Sequence, residues 1–133
     1  MNSKDINIRF ANRADLPEIV EIYNQAIRSN TATGDLEEFL VKEKEEWFSS
    51  FSELLYPIYV AECDSKVVAY CSVSPYRPGR GAMKSIAEIS YYVHKNYFRK
   101  GIGRKLLKYA LQNAQRIEKK VFIAILLDKC KVN

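Results

Sequence analysis

The 133-residue sequence contains one histidine, His94, and three cysteines, Cys63, Cys71 and Cys130, with no C-x-x-C pair among them. A lone imidazole and scattered thiols cannot build a multi-histidine or paired-cysteine centre, so no metal is expected. The cysteines read instead as small buried or edge hydrophobes. No apolar run approaches the roughly 20 residues needed to span a bilayer, and the opening Met1-Asn2-Ser3-Lys4-Asp5 does not lead into a signal-peptide apolar region. A cytoplasmic protein without a membrane partner is the expectation. Glycine is scarce too, with five in the chain. The P-loop's Gly-Lys-Ser or Gly-Lys-Thr never occurs, and the dinucleotide fingerprint G-x-G-x-x-G fails because Leu106 stands where its third small residue belongs.

What is present is enough apolar material for one domain with a real core, at 47% hydrophobic residues. The formal net charge is +5, from 21 Lys and Arg against 16 Asp and Glu. The basic residues cluster: Lys95, Arg99, Lys100, Arg104, Lys105 and Lys108 form one group, and Lys119, Lys120, Lys129 and Lys131 another. With Tyr91, Tyr92, Tyr97 and Phe98 nearby, the first group fits a nucleic-acid surface that holds phosphates and stacks bases. It fits a single compact anion as well, and the position of the cations at a helix start favours that reading, leaving nucleic acid the less favoured partner.

In chain order, Ile6 to Phe10 alternates as a first strand. Asp15-Leu16-Pro17-Glu18 reads as an N-cap, a first-turn proline and an acidic N3 residue opening a helix that ends near Arg28 to Asn30. Leu16, Ile19, Val20, Tyr23, Ala26 and Ile27 would form its buried stripe. A polar loop, Thr31 to Asp35, precedes a second helical stretch through Leu36, Phe39, Leu40, Trp47, Phe48 and Phe51, whose Lys42 to Glu46 run reads as a solvated face. Ile58 to Glu62 and Lys66 to Val73 form a hairpin around Asp64-Ser65. Ser74 to Gly81 is a loop by composition, Lys84 to Val93 a strand, and Val121 to Leu127 an apolar run expected as a parallel strand completing a β-α-β unit.

Between those last two strands lies the most informative stretch. Ile89, Tyr91 and Val93 alternate with Glu88, Ser90 and Tyr92, so the two sets face opposite sides of a sheet. A basic loop with Gly101 and Gly103 follows, and then Ile102, Leu106, Leu107, Ala110, Leu111 and Ala114 recur at helical spacing. The first turn of such a helix presents unpaired N–H groups and the positive end of the macrodipole, and glycines let a ligand approach the backbone. Taken alone, the loop is either a tight turn into an amphipathic helix or an anion site, most naturally for a pyrophosphate.

Phe98-Arg99-Lys100-Gly101-Ile102-Gly103 resembles the acyl-coenzyme A loop of the GNAT N-acetyltransferase superfamily, [QR]-x-x-G-x-[GA], with Phe98 at the usual Gln or Arg position and Arg99 as a substitute cation. Ala87 to Val93 is similar to the A-E-x-S-x-Y-V strand of the phosphinothricin acetyltransferase-like branch. Asn30 to Thr33, Tyr56 to Glu62, and Ala69-Tyr70 to Tyr76-Arg77 match that branch in the same order. The resemblance covers about residues 6 to 125. It implies an α/β fold of the α+β GNAT type, one domain over residues 1–133, with a mixed central sheet and helices on both faces, lacking the usual last helix and two strands. A homodimer that covers the strand at 121–127 is the matching expectation.

The resemblance also implies chemistry. Acetyl-CoA would be the co-substrate and the primary amine of a small amino-acid-like acceptor the nucleophile, attacking directly. Glu88 would take the proton from the arriving ammonium, directly or through a water; its other reading is a paired or solvated strand residue. Backbone groups of Tyr91, Tyr92 and Val93 would run beside the pantetheine, and Arg99, Lys100, Gly101, Ile102, Gly103 and Arg104 would hold the pyrophosphate. Thr31 and Thr33 would line the acceptor pocket or cap a helix. Tyr76 and Arg77 would contact an acceptor carboxylate or phosphoryl group, or simply decorate a surface turn. Two alternatives stay open at this point: a coenzyme-binding domain with little or no catalysis, and a basic binding module.

Overall fold

The computed structural model describes residues 5–29, 37–75, 86–113 and 121–125. Among them, five strands form one sheet in sequence order: β1 (Asn7–Phe10), β2 (Ile58–Cys63), β3 (Lys66–Pro75), β4 (Ile86–Val93) and β5 (Val121–Ile125). The first four pair antiparallel and β5 runs parallel to β4, so the sheet is mixed. The helices are α1 (Leu16–Ser29), α2 (Glu45–Ser49) and α3 (Ile102–Gln112).

Strand alternation divides the core into two layers. On one face Ile89, Tyr91 and Val93 of β4 pack with Tyr59, Ala61, Val68, Cys71 and the α3 residues Ile102, Leu106 and Ala110. On the other, Val60 and Tyr70 pack with Ile19 and Ile22 of α1, and Trp47, Phe48, Phe51 and Tyr92 lean against them. Of the stripe residues read from the sequence, Leu16, Ile19, Val20 and Ile27 of α1 and Ile102, Leu106 and Ala110 of α3 are buried, Tyr23, Ala26 and Leu107 are partly so, Leu40 and Leu111 remain 62% and 48% exposed, and Leu36 and Ala114 lie outside the described residues; Ile22, not in the α1 stripe, is buried as well. At the β2–β3 hairpin, Asp64 (φ 52°) and Ser65 (φ 64°) are both left-handed. That turn matches the right-handed twist of the flanking strands.

Two local expectations are corrected. Asp15 does not cap α1. Asn12 caps a short 3₁₀ turn, Arg13–Asp15, that runs straight into the helix: its Oδ1 accepts from Ala14 N at 2.9 Å, and Asp15 Oδ2 accepts from Asn12 N at 2.8 Å. The same Asp15 carboxylate also binds the Arg9 guanidinium by two bonds of 2.8 and 3.0 Å, joining β1 to the helix start. The second helical stretch is also shorter than its periodicity suggests. Among its described residues only a 3₁₀ turn, Val41–Lys44, and the five residues of α2 are helical, and Phe39 is held in non-helical backbone by Asn24.

Candidate active site

The central strand β4 has different surroundings on its two faces. On the α1 and α2 side, a cavity of about 290 Å³ opens over the sheet. Its wall is aromatic, with Tyr23, Phe39, Trp47 and Tyr92 among its members, and its floor is a set of strand serines, Ser72, Ser74 and Ser90. The serines sit where the pleat would otherwise place apolar residues, and Ser72 pairs directly with Ser90 across β3 and β4. Hydroxyls at that position offer both donors and acceptors to a polar ligand.

The aromatic wall is built by a few fixed contacts. Tyr92 meets Tyr23 edge-on at 5.2 Å and lies 5.5 Å from Tyr70. The buried Asn24 side chain donates to Phe39 O and accepts from Phe39 N, both at 2.9 Å, and so fixes the loop that carries that ring. Lys44 reaches over the wall, its Nζ 4.6 Å from the Phe39 centroid, 4.8 Å from Trp47 and 5.4 Å from Tyr23. The Lys42 to Glu46 run is therefore more than a solvated face.

Glu88 lies two residues before Ser90 on the same side of β4, half-buried, and its Cα partner across the ladder is Ser74 of the cavity floor. Glu88 thus shares the serine-bearing side of β4 and neighbours two of the lining residues, Ser74 and Ser90. The buried Cys71 offers no rival nucleophile, since burial pushes its thiol up to about 12.

The opposite face of β4 leads to the basic loop. His94 caps the turn Lys95–Tyr97 by accepting Asn96 N at Nδ1, 3.1 Å, and the Gln25 side chain of α1 accepts Lys95 N at 2.8 Å. Arg99 (φ 64°) and Gly101 (φ 76°) are both left-handed, and Gly101 is the N-cap of α3. Because Lys105 N is the donor to Gly101 O, at 3.1 Å, the N–H groups of Ile102, Gly103 and Arg104 precede the first bond of the helix. Arg99, Lys100 and Arg104 are exposed around them and take no ion pair among the described residues.

The end of β4 is more differentiated than its sequence suggests. Tyr91 and Val93 point their side chains into the α3-side core, whereas Tyr92 lines the cavity. Because His94 N bonds Val68 O on β3 (2.8 Å), strand alternation turns the backbone of Val93 away from β3. Among the described residues β5 pairs with β4 from Ile86 to Ser90, and Val93 lies three residues past that stretch. Tyr91 is 8% exposed behind α3 and offers no stacking platform, which removes one support for a nucleic-acid surface. Thr31, Thr33, Tyr76 and Arg77 lie outside the described residues, as do Leu126 and Leu127.

A mixed sheet whose fourth strand borders a cavity on one face and continues into a helix N-terminus describes this chain's candidate site. Residues 16–128 match the acetyltransferase (GNAT) family, and the chain belongs to that family. It is 34% identical over 119 residues to the L-methionine sulfoximine/L-methionine sulfone acetyltransferase of Salmonella typhimurium, spanning 90% of this chain and 69% of that protein. The L-amino acid N-acyltransferase of Escherichia coli K12 is equally similar, at 34% identity with the same coverage. The solved phosphinothricin acetyltransferase of Sinorhizobium meliloti, in complex with acetyl-CoA, superposes with a TM-score of 0.84 at 29% identity, covering 90% of this chain and 65% of that one.

Sequence reasoning missed most of the cavity. Tyr23, Trp47 and Phe51 read as helix stripe and Lys44 as surface. The available signal was the serine pattern, since Ser72, Ser74 and Ser90 interrupt strands whose other residues, Lys66 and Glu88 apart, are apolar or aromatic. Among the described residues no group of side chains is arranged to hold a metal ion, and no helix is long and apolar enough to cross a membrane.

Proposed function

We propose that the chain transfers the acetyl group of acetyl-CoA to the primary amine of a small amino-acid-like acceptor. The observation that carries this reading is the position of Glu88, beside the cavity-lining Ser74 and Ser90 and on the strand that continues to Val93 and the α3 N-terminus. Names of the related proteins support the substrate class. In this reading the N–H groups of Ile102, Gly103 and Arg104, with Arg99 and Lys100, hold the pyrophosphate, while Val93 and its neighbours Tyr91 and Tyr92 border the pantetheine.

The acceptor amine enters the cavity as an ammonium and gives a proton to Glu88 or to a water that Glu88 orients. Its freed lone pair forms the C–N bond at the thioester carbonyl carbon, the C–S bond breaks, and the second proton that nitrogen sheds on becoming an amide passes through solvent to the departing thiolate, giving free coenzyme A. A backbone N–H of β4 past Ser90 stabilises the oxyanion between C–N formation and C–S cleavage. Thr31, Thr33, Tyr76 and Arg77 complete the acceptor side in this reading, and a second copy of the chain covers β5, which pairs with β4 alone among the described residues.

The test is turnover. With acetyl-CoA and a panel of L-amino acids, L-methionine sulfone included, the natural chain should release coenzyme A and form the N-acetyl product. Glu88→Gln should lower kcat by about 10² to 10⁴ while leaving acetyl-CoA affinity unchanged. Coenzyme binding without product on any amine would refute transfer, and an unaltered kcat in Glu88→Gln would refute the assigned base.

A further inference from the structure

Resting on the transfer reading above, we infer that Gln25 is a positioning residue for the coenzyme: from α1 it fixes the point where β4 ends and the basic loop begins. Its Oε1 accepts the Lys95 N–H at 2.8 Å, across 70 residues of sequence. The preceding amide is tied as well, because His94 N donates to Val68 O of β3 at 2.8 Å. Two successive N–H groups after Val93 are thus held by two different elements. Within the turn Lys95–Tyr97 the other amides bond locally, Asn96 N to His94 Nδ1 and Tyr97 N to His94 O. The Gln25 bond is the one that joins the turn's amides to another element. It therefore sets the direction in which the chain leaves the sheet toward Gly101 and the α3 N-terminus.

The glutamine side chain is itself held in place. It is buried, and its Nε2 donates to Glu21 Oε2, one turn earlier on α1, at 3.2 Å. A carboxylate only accepts, so that bond decides which end of the amide faces which partner and leaves Oε1 for the backbone. Glu21 also accepts from Arg28 Nη2 at 2.9 Å, and Arg28 Nε reaches Glu38 at 3.2 Å, but these side chains are 44% to 51% exposed and such pairs contribute little. The arrangement depends on the buried amide. Lys95 itself is exposed, so water replaces a lost Gln25 bond at small cost in stability. What is lost is direction, and ordering the loop then falls on the coenzyme as it binds. The preceding residue, Asn24, bonds Phe39 of the cavity wall instead, so consecutive residues of α1 serve the two ligands separately.

The experiment titrates the full chain with acetyl-CoA by calorimetry, beside steady-state kinetics and melting temperature. Gln25→Met keeps the length of the side chain and loses its carbonyl. It should weaken acetyl-CoA binding about tenfold and raise KM for acetyl-CoA in step, with kcat and KM for L-methionine sulfone within about twofold of the natural chain. The double variant Glu21→Gln/Gln25→Glu again presents an oxygen to the Lys95 N–H and an amide to face it, and should recover acetyl-CoA affinity to within about threefold. A lowered melting temperature in Gln25→Met with acetyl-CoA affinity unchanged would reduce the bond to a structural one and overturn the assignment. Equal losses for both substrates, or no recovery in the double variant, would overturn it too. In the natural chain without ligand the Lys95 amide should exchange slowly with deuterium, and fast exchange there would overturn the assignment even where a variant fails to fold. The transfer reading fails differently: a natural chain that binds acetyl-CoA and acetylates nothing leaves the Gln25 assignment standing on the affinities, whereas one that binds no acetyl-CoA removes both.

Discussion

Gly103 lies so close to the ring of Tyr91 that a Cβ at residue 103 would stand 2.5 Å from Tyr91 Cε1 and 2.9 Å from Cδ1. The second glycine of the basic loop is therefore required by the seating of α3 on β4. Gly101 differs: a Cβ there meets nothing within 4 Å, and its demand is the left-handed φ of 76°. Two glycines that look equivalent in the sequence thus serve different ends, one for packing and one for backbone direction.

Replacing Gly103 by alanine should destabilise the chain by about 1–3 kcal/mol, the usual range for forcing extra volume into a packed contact. If the Tyr91 ring is the cause, Tyr91→Leu in that background should cost less than the sum of the single changes, as a urea-unfolding double-mutant cycle would show. Strict additivity would mean that the clash is relieved elsewhere.

Asn24 is buried in α1, with both ends of its amide committed to Phe39. Asn24→Leu removes both bonds and leaves a backbone donor and acceptor unpaired, a loss of about 1–3 kcal/mol where these are kept from water. Acceptor affinity should fall more than coenzyme affinity, because the loosened ring lines the cavity and not the α3 side. Equal losses for both ligands would argue against the local role.

His94 gives the chain a pH dependence near neutrality. Burial, and then the nearby Lys66, lower its pKa below the ordinary 6.5, and its neutral Nδ1 accepts the Asn96 N–H that caps the turn. A lowered folded value means that the unfolded chain binds the proton more readily. The stabilisation is therefore complete above about 6.5 and is lost as pH falls through the lowered value. Melting temperature should decline between pH 7.5 and 5.5, and His94→Gln should flatten that part of the profile. Parallel profiles for the two proteins would exclude His94 as the titrating group.

Much of this organisation was legible in the residues themselves. The period-2 alternation from Glu88 to Val93 separates core from cavity, and the 3.6-period stripe after Gly101 gives α3, because both patterns come from burial on one face. The basic two-glycine loop ahead of α3 was legible for the same local reason: glycines and cations adjoin in sequence. The aromatic cavity was not. Its wall gathers Tyr23 from α1, Phe39 from a loop, Trp47 from α2 and Tyr92 from β4, positions that only tertiary packing brings together. Asp15 illustrates the same limit at short range, because its Arg9 partner comes from β1 and helix-capping patterns do not extend that far.

The central claim is that the α3 N-terminus receives acetyl-CoA. Isothermal titration of the natural chain with acetyl-CoA, beside Gly101→Ala and Gly101→Glu, tests it most directly. Both variants place a side chain on the same left-handed backbone, so the strain is shared, and only glutamate adds a negative charge at the proposed pyrophosphate site. Saturable one-to-one binding by the natural chain, reduced slightly in Gly101→Ala and abolished in Gly101→Glu, is the predicted result. Absence of binding by the natural chain, or equal affinities in the two variants, would contradict it.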